Sequence, residues 1–304
     1  MKILLATDGS AHSQAAINLL NHLPFPEGSK ITLTTVLELP SLHFGTSRLN
    51  DADQKLQDSI RSKAEENLNR QAESLRQTGW IVDVLIRQGN AAEEVINTAE
   101  ELKIDLIVVG SHGFGTVRKY LLGSVSQKVV KYAPCSVLVV RENEGRELDA
   151  NSEISTWKAL KVLLAFDDSE ISNEAVKVLH SLPLADDAEV TIVTIMPIIT
   201  SYGMDIIERT SDFWQEDKCI AKAALQATAE KLKQTHPNIS AHLIESEDTS
   251  HEILARAKAL NSDLIIMGNK GKNMMDRFLL GSVTNRVIEH APCSVWVVRK
   301  RIDQ

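Results

Sequence analysis

Three glycines, Gly110, Gly113 and Gly123, form the stretch of this chain best suited to chemistry, and the last is followed by Ser124. Two residues separate the first pair and nine separate the second. An apolar run from Asp105 to Val109 leads in, and a helical pattern from Val125 to Tyr132 leads out. Glycine at a strand-to-helix junction lets backbone N–H groups approach a ligand with no Cβ in the way. The first turn of the helix adds N–H groups without an intrahelical acceptor, together with a partial positive charge. With the Ser124 hydroxyl, these groups suit an anion, most often a phosphate. The spacing returns at Gly268, Gly271 and Gly281-Ser282. Laid without gaps on Asp263–Arg299, the segment Asp105–Arg141 matches at 19 of 37 positions. The matches gather in the glycines, in L-L-G-S-V and in A-P-C-S-V.

Two better-known phosphate loops do not fit. Gly110 and Gly115 have the separation of a G-x-x-x-x-G-K-[ST] loop, but Thr116 and Val117 follow. Gly113 and Gly115 begin a G-x-G-x-x-G that ends in Arg118. A single set of spaced glycines serves equally well as tight turns, and the second copy weighs against that reading. His112 invites a role on phosphate or as an acid or base. Its counterpart is Lys270, so no proton-transfer role is shared, and His112 reads as a solvent-facing loop residue. Ser111, His112 and Asp105 make no nucleophilic triad, because neighbours on a strand-to-loop segment point apart. Cys135 and Cys293 hold equivalent places after proline and read as small apolar packing. Nine histidines scatter without metal-ligand spacing.

The positioning elements alternate. Lys2 to Thr7 reads as a buried strand ending in Asp8-Gly9-Ser10, with Ser10 placed to cap a helix. Ile31–Leu37, Trp80–Ile86, the run into Gly110 and Cys135–Val140 read as further strands. Helical patterns separate them, the longest over Asp51–Gln77. Five such alternations predict a parallel sheet covered on both faces. The pattern restarts at Ala159 after a polar stretch. The expected division is a domain over 1–142, a linker over 143–157 and a second domain over 158–302. The second domain's first strand ends in Asp167-Asp168-Ser169. In such sheets ligands sit beyond the carboxyl ends of the strands, where strand order reverses. If the first and fourth strands are neighbours, Asp8 lies beside the glycine loop, ready to accept hydrogen bonds from a base or a ribose.

Composition narrows the partners. A chain of 304 residues suggests about two domains at roughly 150 residues each. Net charge is -8, which argues against duplex nucleic acid and an anionic membrane. No apolar run approaches the roughly 18 residues of a membrane span. The first six residues are too soon interrupted by Asp8 to be a signal peptide. Three cysteines without C-x-x-C suit a reducing cytoplasm.

The chain resembles a tandem universal stress protein. The resemblance rests on G-2x-G-9x-G-[ST], complete in both halves, which marks that family's ATP-binding branch. It also rests on T-D-G-S and F-D-D-S after the first strands, and on A-P-C-S-V-L-V-V-R and A-P-C-S-V-W-V-V-R at the domain ends. It implies two open α/β sheets, each of five parallel strands in the order 3-2-1-4-5 with helices on both faces. It implies ATP at the switch point, with Asp8 or Asp167 near the adenine and the main chain of Val36 or Ile195 facing the base. Gly110, Gly113, Gly123 and Ser124, or Gly268, Gly271, Gly281 and Ser282, would hold ribose and phosphates. Thr7, Gly89, Val125 and Val283 complete the implied contact set. No catalytic residue is implied, and the only metal is Mg²⁺ arriving with ATP near Ser124. The fifth strands, Val137–Val140 and Val295–Val298, would pair domains within the chain or in a homodimer. The implied function is a cytoplasmic, nucleotide-dependent binding or sensing module in stress response, with an unidentified protein partner. A slow ATPase or self-phosphorylating enzyme, and a dimer module without nucleotide, are the alternatives. Glu247 and Asp248 stand where the first half has Gly89, and Met274 and Met275 replace Thr116 and Val117, so the first site is expected to bind more tightly.

Overall fold

The structure is a computed structural model that describes residues 1–38, 51–112, 122–141, 160–198, 212–272 and 280–300. The first half runs β1 (Lys2–Ala6), α1 (Ala11–His22), β2 (Lys30–Leu37), α2 (Asp51–Gln77), β3 (Ile81–Gln88), α3 (Ala91–Glu101), β4 (Leu106–Gly110), α4 (Ser124–Tyr132) and β5 (Ser136–Val140). The second runs β6 (Lys161–Ala165), α5 (Glu170–Ser181), β7 (Glu189–Pro197), α6 (Asp212–Lys233), β8 (Ile239–Ser246), α7 (Thr249–Ala259), β9 (Leu264–Gly268), α8 (Ser282–His290) and β10 (Ser294–Val298). Gly113, Met274, Met275 and the expected linker lie outside the described residues.

Short side chains set the helix starts. Ser10 and Ser169 take extended backbone and accept hydrogen bonds from the N–H groups of Ser13 and Ser172. Asn90 and Asp248 cap α3 and α7 in the same way. At the amino edge of the sheet, Asp105 Oδ2 accepts the Lys2 N–H at 2.7 Å and Asp263 Oδ2 accepts the Lys161 N–H at 2.9 Å. These bonds fix the β1–β4 and β6–β9 neighbours on which the ligand-binding argument depends.

Each half has the order 3-2-1-4-5, and the two halves form one sheet of ten strands, β3-β2-β1-β4-β5-β10-β9-β6-β7-β8. Pairing is parallel within each half, and β5 meets β10 antiparallel. Every residue of β5 and β10 is buried. An exposed edge of that composition would leave a row of backbone groups open to a wrong partner, and the pairing covers both edges at once.

One face of the sheet is covered by α1, α2, α5 and α6, the other by α3, α4, α7 and α8. Equivalent helices on the same face, about an antiparallel centre, place an approximate two-fold axis normal to the sheet. It passes through Leu138 and Trp296, which pair with each other and occupy equivalent positions in the two halves. Trp296 is 1% exposed and tilts against Phe25 of the first half at 6.0 Å, and Phe25 meets Trp80 edge-on at 5.5 Å. The counterparts of Phe25 and Trp80 are Leu184 and Pro237. The axis therefore carries one large and one small side chain, and the aromatic layer lies on one side only.

Candidate functional site

The carboxyl ends of β1 and β4 meet at the point where strand order reverses, and those of β6 and β9 do likewise. After β1 the chain makes a tight turn built from Asp8. Its Oδ1 accepts the Ser10 N–H at 2.9 Å, while Thr7 Oγ1 accepts the Gly9 N–H at 3.2 Å. Asp167 repeats the turn, taking the Ser169 N–H at 3.0 Å, and Asp168 holds the left-handed backbone that Gly9 has in the first half. Asp8 is exposed at the lip of the cleft and Thr7 is buried beneath it.

The opposite lip is the start of α4. Gly123 occupies the N-cap with no side chain to cap the helix, and its own N–H donates to the Ser111 carbonyl at 2.8 Å. Gly281 does the same for α8, donating to the Asn269 carbonyl at 2.8 Å. An ordinary cap of Ser, Thr, Asp or Asn contributes about 1 kcal/mol by filling one of these N–H groups. Both helices lack that cap at the place where an anion would supply it. Ser124 and Ser282 follow at once and are exposed, and Val125 and Val283 are half-buried behind them.

Two hydroxyls that the glycine spacing did not single out fix these helix starts. Ser126 Oγ donates to the Gly110 carbonyl at 2.6 Å, and Thr284 Oγ1 donates to the Gly268 carbonyl at 2.9 Å. The sequence held the signal, since a hydroxyl stands two residues after Gly-Ser in both copies.

The third wall comes from β2. The last bond between the first two strands runs from the Thr7 N–H to the Thr34 carbonyl. Alternate residues of a strand direct their backbone groups to the same side. Val36, two residues on, therefore points its N–H and C=O past the end of β1 into the cleft. In the second half the bond runs from the Phe166 N–H to the Val193 carbonyl, and Ile195 takes the matching position. The floor is apolar: Ala6, Val36, Leu122 and Val125 are half-buried on the core, as are Ala165, Ile195, Leu280 and Val283. Gly89 is further out, at the end of β3, where its φ of 146° suits glycine.

Gly110 and Gly268 are close-approach positions, but the neighbours are the protein's own. A Cβ at Gly110 would stand 3.1 Å from the backbone of His12, and one at Gly268 would stand 3.0 Å from Ile171 Cγ2. In the second half, a Cβ at Gly271 would lie 2.9 Å from Asp167 Oδ2, which also accepts the Lys272 N–H at 3.2 Å. Gly271 and Lys272 thus lie against the carboxylate of their own cleft.

His112 differs from expectation. It is 6% exposed rather than solvent-facing. Its Nδ1 shares a hydrogen bond with the Ser111 hydroxyl at 3.0 Å, and its ring tilts against His12 at 5.2 Å. The absent Cβ at Gly110 lets α1 come close enough to form this pair. Burial, with His12 and Arg141 nearby, holds the His112 imidazole below its ordinary pKa. His112 Nε2 and His12 Nδ1 are buried without a partner among the described residues. The second half has Ile171 and Lys270 at these positions, so the pair belongs to one cleft only.

The repulsion expected from Glu247 and Asp248 is reduced by the structure. Asp248 Oδ1 accepts from the Ser250 hydroxyl and the His251 N–H, and Oδ2 meets Arg286 Nη1 at 2.8 Å. The Ser250 bond leads the effects that lower its pKa. Glu247 is exposed and lacks the positive φ of Gly89. Cys135 and Cys293 are buried, and burial pushes the Cys293 thiol far above its ordinary pKa. Among the described residues no helix is long and apolar enough to cross a membrane, and no three His, Cys, Asp or Glu side chains gather as a metal site.

Comparison with known proteins agrees with this architecture. A universal stress protein of Mycolicibacterium smegmatis is 27% identical over 306 residues, covering 98% of this chain and 97% of its own length. A single-domain universal stress protein of Thermus aquaticus is 35% identical over 140 residues, 46% of this chain and 97% of its own. The crystal structure of a universal stress protein from Archaeoglobus fulgidus superposes with a TM-score of 0.66 at 23% identity, covering 100% of this chain and 97% of that one, which shows a shared fold. The universal stress protein family model matches twice, over residues 1–141 and 159–299, and the chain belongs to that family.

Proposed function

We propose that the chain binds ATP in the two clefts at the carboxyl ends of its strands and serves in stress response as a nucleotide-dependent binding module. One observation carries the reading. In both halves a helix that faces the switch point begins at a glycine with no capping side chain, followed by an exposed serine. The first-turn N–H groups and the Ser124 or Ser282 hydroxyl suit phosphate oxygens. The Val36 or Ile195 main chain and the apolar floor suit a base, and the Asp8 lip suits a ribose or an exocyclic amine. Mg²⁺ would be held by the phosphates and Ser124 with its own waters, since it rarely needs an all-protein cage. The first cleft is expected to bind more tightly, because the exposed Glu247 carboxylate stands beside the second.

Protein purified without added ATP is analysed for released nucleotide, and then followed for ADP over hours. Retained ATP without turnover supports the module, and steady ADP production points to a hydrolase. Ser124→Asp and Ser282→Asp place a carboxylate at each helix start, where the dipole favours it and a phosphate does not. Each variant should keep its fold and lose its own ATP. Unchanged binding in both would overturn the assignment.

A further inference from the structure

Arg141 and Arg299 follow the two central strands, and each reaches into the other half. Arg141 Nη2 donates to the carbonyls of Ile288 at 2.7 Å and Glu289 at 3.0 Å, near the end of α8. Arg299 Nη2 donates to Val130 at 2.6 Å and Lys131 at 3.1 Å, near the end of α4. Burial pushes the Arg299 guanidinium down to about 10 and lowers that of Arg141; a guanidinium nonetheless keeps its proton in proteins. The last carbonyls of a helix lack intrahelical donors and carry partial negative charge, which a forked cation satisfies well.

These are the two helices whose opposite ends open on the clefts. Each has nine residues, about 13 Å end to end, so fixing the carbonyl end orients the N–H end. The residue before each arginine also accepts the root of its own glycine loop. The Ser111 N–H donates to the Val140 carbonyl at 2.8 Å, and the Asn269 N–H to the Val298 carbonyl at 3.0 Å. A loop root on one side is therefore one residue away from the arginine that holds the anion-facing helix on the other.

We propose that Arg141 and Arg299 are positioning residues exchanged between the halves, and that through them occupancy of one cleft changes the affinity of the other. This rests on the nucleotide reading above. Coupling between sites is reciprocal and commonly amounts to fivefold or more. The test uses the full chain titrated with Mg-ATP, with amide hydrogen exchange read separately at the first turns of α4 and α8. Blocking the second cleft by Ser282→Asp should shift half-protection of the α4 turn by about fivefold or more. In an Arg141→Met, Arg299→Met background the shift should fall below about twofold, and the Lys pair should restore part of it. A shift that persists in the Met pair overturns the proposal, as does its absence in the parent when ATP protects both turns. If ATP protects neither turn, the nucleotide reading fails by itself, and the ligand-free protein decides. Arg141→Met should then speed exchange at the α8 turn and not at α4, and Arg299→Met should do the reverse. Without this crossed pattern the inference is wrong.

Discussion

Gly110→Ala and Gly268→Ala test whether the first glycine of each loop serves the fold or the ligand. At Gly110 the new methyl would lie 3.1 Å from the carbonyl carbon, the oxygen and the Cβ of His12. Two of these three atoms are backbone in the first turn of α1, so no rotamer change relieves the contact. The helix start must move, and the His12–His112 contact moves with it. Overpacking of this kind costs about 1–3 kcal/mol, and a backbone obstacle belongs at the upper end. At Gly268 the nearest atom is a side-chain methyl of Ile171 at 3.0 Å, with the Lys270 carbonyl at 3.3 Å. A methyl can yield by a few tenths of an ångström, so the cost should be about 1 kcal/mol. Urea unfolding of the two variants and the parent, with slopes compared, measures the difference. ATP titration on the same samples then separates the roles. A packing glycine loses stability and keeps its nucleotide in proportion to the folded fraction. Equal midpoints for Gly110→Ala and the parent, or a costlier Gly268→Ala, would refute the reasoning.

Three further outcomes are expected. Trp296→Leu should destabilise the chain by about 2 kcal/mol, since it empties a buried site at the pseudo-axis. Adding Leu138→Trp conserves volume there but should not restore the urea midpoint, because Phe25 and Trp80 stand on one side only. The His112 pKa is lowered in the fold, so the unfolded chain binds more protons. Its contribution is complete above the unfolded value of 6.5 and is lost as pH falls through the lower folded value; His112→Asn should flatten the stability profile below 6.5. A thiol reagent at pH 8 should modify the exposed Cys219 and leave Cys135 and Cys293 intact until urea is added, as mass spectrometry would count.

Much of the fold was legible because local chemistry and global pattern agree. The buried runs into Gly110 and Gly268, the caps Ser10 and Ser169, and the long polar-faced helix over Asp51–Gln77 carry their own signals in period and turn chemistry. The glycine spacing placed Ser124 and Ser282 at helix starts, where the structure has them. His112 was misplaced because burial depends on what packs from elsewhere: His12 is a hundred residues away, and nothing local announces its approach. The charge at Asp248 is partly offset for the same reason, since Arg286 reaches it from another helix.

The sequence by itself determined two α/β halves, their strand identities and a glycine-serine helix mouth in each, because these follow from side-chain period and from backbone groups left open at chain junctions. The family resemblance pointed to the fifth strands as the pairing edge; only the tertiary structure decided that β5 and β10 meet within the chain rather than between chains, that a single Trp–Leu pair occupies the axis, and that Arg141 and Arg299 cross it. Those contacts join residues more than a hundred positions apart. They are set by which apolar edge finds which partner and by where a buried guanidinium finds open carbonyls, and no local pattern encodes either.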